Sequence, residues 1–103
     1  MSEPSPADTV LDVTVVESPG CHFCEDAHRV LADAAERYPL RVRTEDVATA
    51  EGRRLMTAHR VGMSPLVLVD GAFFSSGRLP RRKLDKLLTA RFGQPADAST
   101  VVG

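Results

Sequence analysis

The chain has 103 residues, 43% of them hydrophobic and 26% charged, the balance of a globular domain and not of a disordered one. Thirteen Lys and Arg stand against fourteen Asp and Glu, a formal charge of −1, so no overall attraction to nucleic acid or to an anionic membrane is expected. A chain of this length supports one domain with a modest core and does not need disulfides to hold it together.

Residues 1–9 (MSEPSPADT) carry neither a Lys or Arg nor an apolar run, so they are expected as a mobile tail and not as a secretory signal. No stretch of the sequence is long and apolar enough to span a bilayer, and a cytoplasmic location is expected. Val10 to Val16 is β-branched and alternating, which predicts a first strand, broken by Ser18-Pro19-Gly20. From Cys21 onward the less polar residues fall at Cys24, Ala27, His28, Leu31, Ala34, Ala35 and Tyr38, the spacing of one helix face, and Pro39 ends the pattern. Leu40 to Val47 reads as a second strand. A helix from Thr49 to His59 follows, with Leu55, Met56 and His59 inward and Gly62 marking its exit.

The run Pro65 to Val69 has the near-continuous apolar character of a buried strand, and Asp70-Gly71 is a hairpin turn signal leading into Ala72 to Ser75. Pro80 suits the first turn of a last helix, with Leu84, Leu87, Leu88 and Phe92 as its buried stripe. Residues 93–103 are small and polar and are expected as a second mobile tail, which leaves residues 10–92 as the folded domain. The order is βαβαββα. Strands separated by helices imply right-handed parallel crossovers and the closing hairpin adds antiparallel strands, so one mixed four-stranded α/β sheet with helices on both faces is expected.

Cys21 and Cys24 are the only cysteines, and they stand where the first helix begins. A helix start places the Cys21 sulfur beside backbone N–H groups without partners and near the positive end of the helix dipole, which favours thiolate. His22 acts in the same direction when protonated, whereas Glu25 and Asp26 oppose it. Cys24 is one turn on, within reach of a small disulfide. In a redox reading Cys21 attacks a substrate disulfide, and Cys24, deeper in the helix, attacks Cys21 to release the product. Two other readings of the pair remain. The cysteines can simply pack in the core. They can also join His22, His28 and His59 as zinc ligands, although no second CxxC or HxxxH is present. Without a metal role, His28 and His59 are expected as partners on half-buried helix faces, and His22 as a solvated residue.

From about Val10 to Phe92 the chain resembles the thioredoxin superfamily, and within it the small glutaredoxin-like proteins. The residues that carry the resemblance are "VESPGCHFC" after the first strand, "EDV" closing the second, "RVGMSPLVLVDG" leading into the hairpin and "SSGRLPRRKLDKLL" opening the last helix. The resemblance implies a thiol–disulfide oxidoreductase with a thioredoxin-like, glutaredoxin-type fold, Cys21 as nucleophile and Cys24 as resolving thiol. It further implies that Pro65 is a cis-proline facing the pair. A cis Ser64–Pro65 bond would turn the backbone of Met63 and Ser64 toward the sulfurs, so Met63, Ser64 and Pro65 are substrate-binding candidates, together with His22, Phe23, Gly77 and Arg78. A disulfide-bearing protein or a glutathione mixed disulfide is the implied substrate, with no bound cofactor or metal, and a monomer is expected. Many glutathione-using glutaredoxins have Lys where this chain has Ser18 and a Pro-aromatic pair where it has His22-Phe23. Their acidic residue near the last helix has no match in Ser75-Ser76-Gly77-Arg78. Glutathione is therefore retained as a candidate co-substrate only.

Between Arg78 and Arg91 six basic side chains stand against the single acid Asp85. Positive charges in the first turn of a helix oppose its dipole at about 0.3–1 kcal/mol each, so Arg78 and Arg81 invite an anion unless they are a solvated basic face. This segment also supports a rival to catalysis, a non-catalytic module that docks through its basic last helix.

Overall fold

The computed structural model describes residues 10–93; the tails expected at 1–9 and beyond Gly93 lie outside the described residues. The elements are β1 (Leu11–Glu17), α1 (His22–Ala35), β2 (Leu40–Asp46), α2 (Ala50–Ala58), β3 (Leu66–Val69), β4 (Ala72–Ser76) and α3 (Arg81–Phe92), in the expected order βαβαββα. They form one four-stranded sheet of order β2-β1-β3-β4. β1 and β2 are parallel, in register from Leu11 opposite Leu40 to Glu17 opposite Asp46. β3 runs antiparallel to both β1 and β4. Asp70 and Gly71 both have positive φ (51° and 84°), as a two-residue turn of the I′ type requires, and this is why the Asp-Gly pair closes the hairpin.

Side chains alternate across the sheet, so each face of β1 builds its own core. Leu11, Val13 and Val15 pack with Val67 and Phe74 against Ala27, Val30, Leu31 and Ala34 of α1 and Leu84 and Leu88 of α3. On the opposite face Val16, Leu66 and Leu68 pack with Leu55 of α2, and Met56, Val61 and Val47 close the rim. Helices therefore cover both faces. Each Leu or Val fully buried in these layers contributes about 1.5–3 kcal/mol relative to exposure.

Four details differ from the pattern. The spacing places His28 and Ala35 on the buried face of α1, but the stripe is rotated toward α3: Val30 is buried, Ala35 is exposed and His28 is only half-buried. The cause is tertiary, because α3 packs on the Val30 side of α1. The alternation of β2 buries little, and Val42 is 38% exposed, since β2 is an edge strand with β1 as its only neighbour among the described residues. In α2, Leu55 is buried as expected and Met56 and His59 are half-buried, while the residue most tightly enclosed beside Leu55 is Gly52. Pro80 stands just outside α3 as its N-cap, and no side chain caps that end. None of the described helices is long and apolar enough to cross a membrane.

Candidate functional site

Cys21 is the N-cap of α1, in extended conformation (φ −95°, ψ 112°), and its sulfur accepts a hydrogen bond from the Cys24 N–H at 3.1 Å. An N-cap residue normally offers an oxygen to this donor, so here a sulfur takes over the capping role and is fixed at the positive end of the helix. Gly20, at φ 68°, allows the chain to turn from β1 into that cap, a conformation that costs an L side chain energy. Cys21 and Cys24 are joined by a disulfide, with 5.2 Å between their Cα atoms. Cys21 is half-buried, whereas Cys24 is 4% exposed and belongs to the buried face of α1. Among the described residues no group of three or more His, Cys, Asp or Glu side chains is placed to hold a metal ion.

The loop before β3 closes over the pair. The Ser64–Pro65 bond is cis, as the resemblance implies, and Pro65 is fully buried. The Ser64 carbonyl oxygen lies 3.9 Å from Cys21 Sγ and its hydroxyl 3.8 Å from the same sulfur. That hydroxyl also shares a 2.7 Å hydrogen bond with Ser18 Oγ, which ties the loop to the segment that leads into Cys21. On the other side the Gly77 N–H donates to the Pro65 carbonyl (3.0 Å) and the Ser76 hydroxyl donates to the Met63 carbonyl (3.1 Å). A Cβ at Gly77 would come within 3.8 Å of the Met63 Cε. Cys21, Met63, Ser64, Pro65 and Gly77 are thus linked by contacts, with Pro65 and Gly77 buried beneath and Cys21, Met63 and Ser64 reaching solvent. Met63 is 57% exposed there, and His22 and Phe23, which follow Cys21 in the first turn of α1, are exposed too, Phe23 at 42%. Arg78 follows Gly77 and is exposed, with no ion pair among the described residues.

A profile of the thioredoxin domain family matches residues 11–89, every described element except the end of α3. The chain belongs to this family. No curated protein sequence matches this thioredoxin domain at a significant level. Among solved structures it is similar to a mutant thioredoxin from Halobacterium salinarum, with 21% identity and a TM-score of 0.61 over 82% of this chain and 77% of that one. A thioredoxin-like protein from Clostridium perfringens gives 8% identity and a TM-score of 0.62, over 84% and 75% of the two chains. Fasciola hepatica thioredoxin gives 24% identity and a TM-score of 0.56, over 81% and 82%. At these identities the likeness is one of fold.

Two contacts around the thioredoxin site have no local sequence signal. Glu17, the last residue of β1, meets His28 of α1 at 2.5 Å between Oε1 and Nε2, so His28 is a partner on a half-buried face. The pair joins the strand and the helix on either side of the Ser18–Cys21 loop and holds that loop at both ends. Their side chains are 32% and 40% exposed, so solvent screens the attraction. The double-mutant cycle of Glu17→Gln and His28→Gln is expected to give a coupling of about 0.5–1 kcal/mol in urea unfolding at pH 6. The other contact joins Arg81 to Asp26 at 3.0 Å and fastens the start of α3 to α1. A cavity of about 570 Å³ at the opposite end of the sheet, bordered by the Asp12–Arg41 and Asp70–Arg91 ion pairs, adjoins neither sulfur.

Proposed function

We propose that this domain is a cytoplasmic thiol–disulfide oxidoreductase that reduces or exchanges protein disulfides or mixed disulfides, with Cys21 as the nucleophile and Cys24 as the resolving thiol. The observation that carries this reading is the asymmetry of the pair: one bonded sulfur at an accessible helix cap, the other 4% exposed beneath it. In the reduced form, Cys21 thiolate attacks one sulfur of the substrate disulfide and expels the other as a thiolate that takes up a proton. Cys24 then loses its proton and attacks Cys21 Sγ, which releases the second substrate thiolate. Two electrons have passed to the substrate, and the domain is left with the Cys21–Cys24 bond seen here.

The groups around Cys21 suit the first step. The Cys24 N–H at 3.1 Å and the Ser64 hydroxyl at 3.8 Å are donors directed at Sγ, where the negative charge of the attacking form resides. Because the cysteines carry the electrons, the cycle needs a thiol reductant and no bound cofactor or metal. Glutathione is a candidate co-substrate in that role. The experiment is reduction of insulin with dithiothreitol, and then with glutathione, as the electron source. Acceleration over the dithiothreitol background supports the oxidoreductase reading, and its absence with both donors opposes it.

The substrate would lie across Phe23, Met63, Ser64, Pro65 and Gly77, with His22 and Arg78 at its margins. Phe23→Ala and Met63→Ala are expected to lower kcat/KM for a peptide disulfide about threefold each, with the domain still folded at the assay temperature by circular dichroism. These side chains are 42% and 57% exposed in the free domain, so each has a large apolar area that a bound substrate can cover.

A further inference from the structure

The flank of this surface beyond Gly77 is positively charged, and the three guanidinium groups there differ in their engagements. Arg81 is paired with Asp26. Arg78 and Arg82 are exposed and have no carboxylate partner among the described residues. Lys83 donates to the Phe74 carbonyl and lies 4.6 Å from the centre of the Phe74 ring, so it turns toward β4. Between the free arginines is a shallow groove of about 390 Å³ lined by Arg78, Leu79, Pro80, Arg81 and Arg82. Leu79 is 1% exposed and forms an apolar floor under charged walls.

The position of the groove relative to the cysteines is fixed from two sides. Gly77, next to Arg78, is in contact range of Met63 and donates to Pro65. Asp26, which holds Arg81, is five residues past Cys21, about 7.5 Å along the helix axis. Arg81 is thereby held beside the helical turn that follows the cysteines, and Arg78 follows the glycine that meets the Met63–Pro65 loop, so the groove adjoins the surroundings of Cys21. Among the described residues the acids on this side are Asp26, engaged by Arg81, Asp33, engaged by Arg37, and the exposed Asp85.

We propose that the natural partner of this site is a protein segment with acidic residues close to its reactive cysteine, whose Asp or Glu carboxylates meet Arg78 and Arg82 while its apolar side chains cover Met63 and Phe23. This rests on the redox reading above and specifies its substrate class. Guanidinium groups pair with carboxylates in a two-pronged geometry, and an apolar patch bordered by free guanidinium groups selects apolar segments with adjacent acids over basic ones. Two exposed pairs of this kind give about a fivefold preference.

The test uses three disulfide-linked peptide dimers that differ only in acidic, neutral or basic residues on both sides of the cysteine. Each is mixed with the reduced full-length protein in a single turnover, read by alkylation and mass spectrometry, so no electron donor enters. At low salt the acidic peptide is expected to react about fivefold faster than the neutral one and the basic peptide more slowly. The acidic-to-neutral ratio should fall toward one at about 1 M salt, where the Debye length is about 3 Å. In the Arg78→Glu/Arg82→Glu double variant it should drop below one. Equal rates for all three peptides at low salt, or an unchanged ratio in the double variant, overturn the proposal and leave the redox reading standing. Failure to reduce any of the three overturns both.

Discussion

Replacing Cys21 with serine is expected to lower disulfide reduction by about three orders of magnitude or more, to the background of the reductant, because a serine hydroxyl is not ionised near neutral pH and a thiolate is. The two sulfurs are not equivalent. Cys21 is the half-buried cap, whereas Cys24 is 4% exposed, so an incoming disulfide reaches only the first. Cys24→Ser should therefore behave differently: attack proceeds, but the intramolecular release that follows is lost, and a covalent mixed disulfide accumulates. Release within one molecule benefits from an effective concentration far above that of any free thiol, so the trapped complex should persist in millimolar glutathione for much longer than one wild-type turnover. Non-reducing electrophoresis and intact mass are the measurements. A complex with Cys24→Ser, none with Cys21→Ser and none with the double variant is the expected pattern. Equal insulin reduction by wild type and Cys21→Ser would eliminate the enzyme and leave the rival, an interaction module docking through its basic last helix.

The parts of this site that can be read from the sequence are those that neighbouring residues specify together. Cys21 and Cys24 are three apart after a Pro-Gly break, so one helix start fixes both, and Asp70-Gly71 carries its turn in its own dihedral preferences. Pro65 and Gly77 are less local. Their relation to the cysteines came from the ordered motifs of the resemblance, and no periodicity would have joined Gly77 to a proline in β3's approach. The Glu17–His28 pair, the Ser18–Ser64 hydrogen bond and the Asp26–Arg81 bridge depend on how elements pack, with separations of 11, 46 and 55 residues. Ser18 did stand out as a departure from the glutaredoxin pattern, and the structure gives it a role: it holds the hydroxyl of Ser64 beside Cys21. The rotation of the α1 stripe toward Val30 has the same origin, since helical spacing alone cannot say on which side a second helix will pack.

Gly52 presents the sharpest conflict between local preference and fold, and Gly52→Ala is expected to lower stability by about 3 kcal/mol. Intrinsic propensity predicts the opposite sign, since alanine in a helix interior is favoured over glycine by about 1 kcal/mol. Here the Cβ would collide with the carbonyl oxygen of Asp46, stand 2.8 Å from its carbonyl carbon and approach Thr49 Oγ1 to 3.1 Å. These atoms cannot easily yield. Thr49 caps α2 by accepting from the Gly52 N–H at 2.9 Å, and its own hydroxyl donates to the Asp46 carbonyl at 2.8 Å, so the β2–α2 corner is built on this close approach. Relief requires α2 to shift away from β2, which loosens Leu55 from Val16, Leu66 and Leu68. Overpacking of this kind costs about 1–3 kcal/mol, and the backbone nature of the obstacle places this case at the upper end. For a domain of this size that is a fall in Tm of about 15 °C. Leu66 directly follows the cis-proline, so the displacement should also reach the loop over Cys21 and reduce turnover below the melting transition. Gly62→Ala is the control: a Cβ there meets nothing within 4 Å, and its Tm should stay within about 3 °C of wild type. A Gly52→Ala domain that melts at or above the wild-type temperature would mean that the Asp46–Gly52 corner does not hold α2 in place.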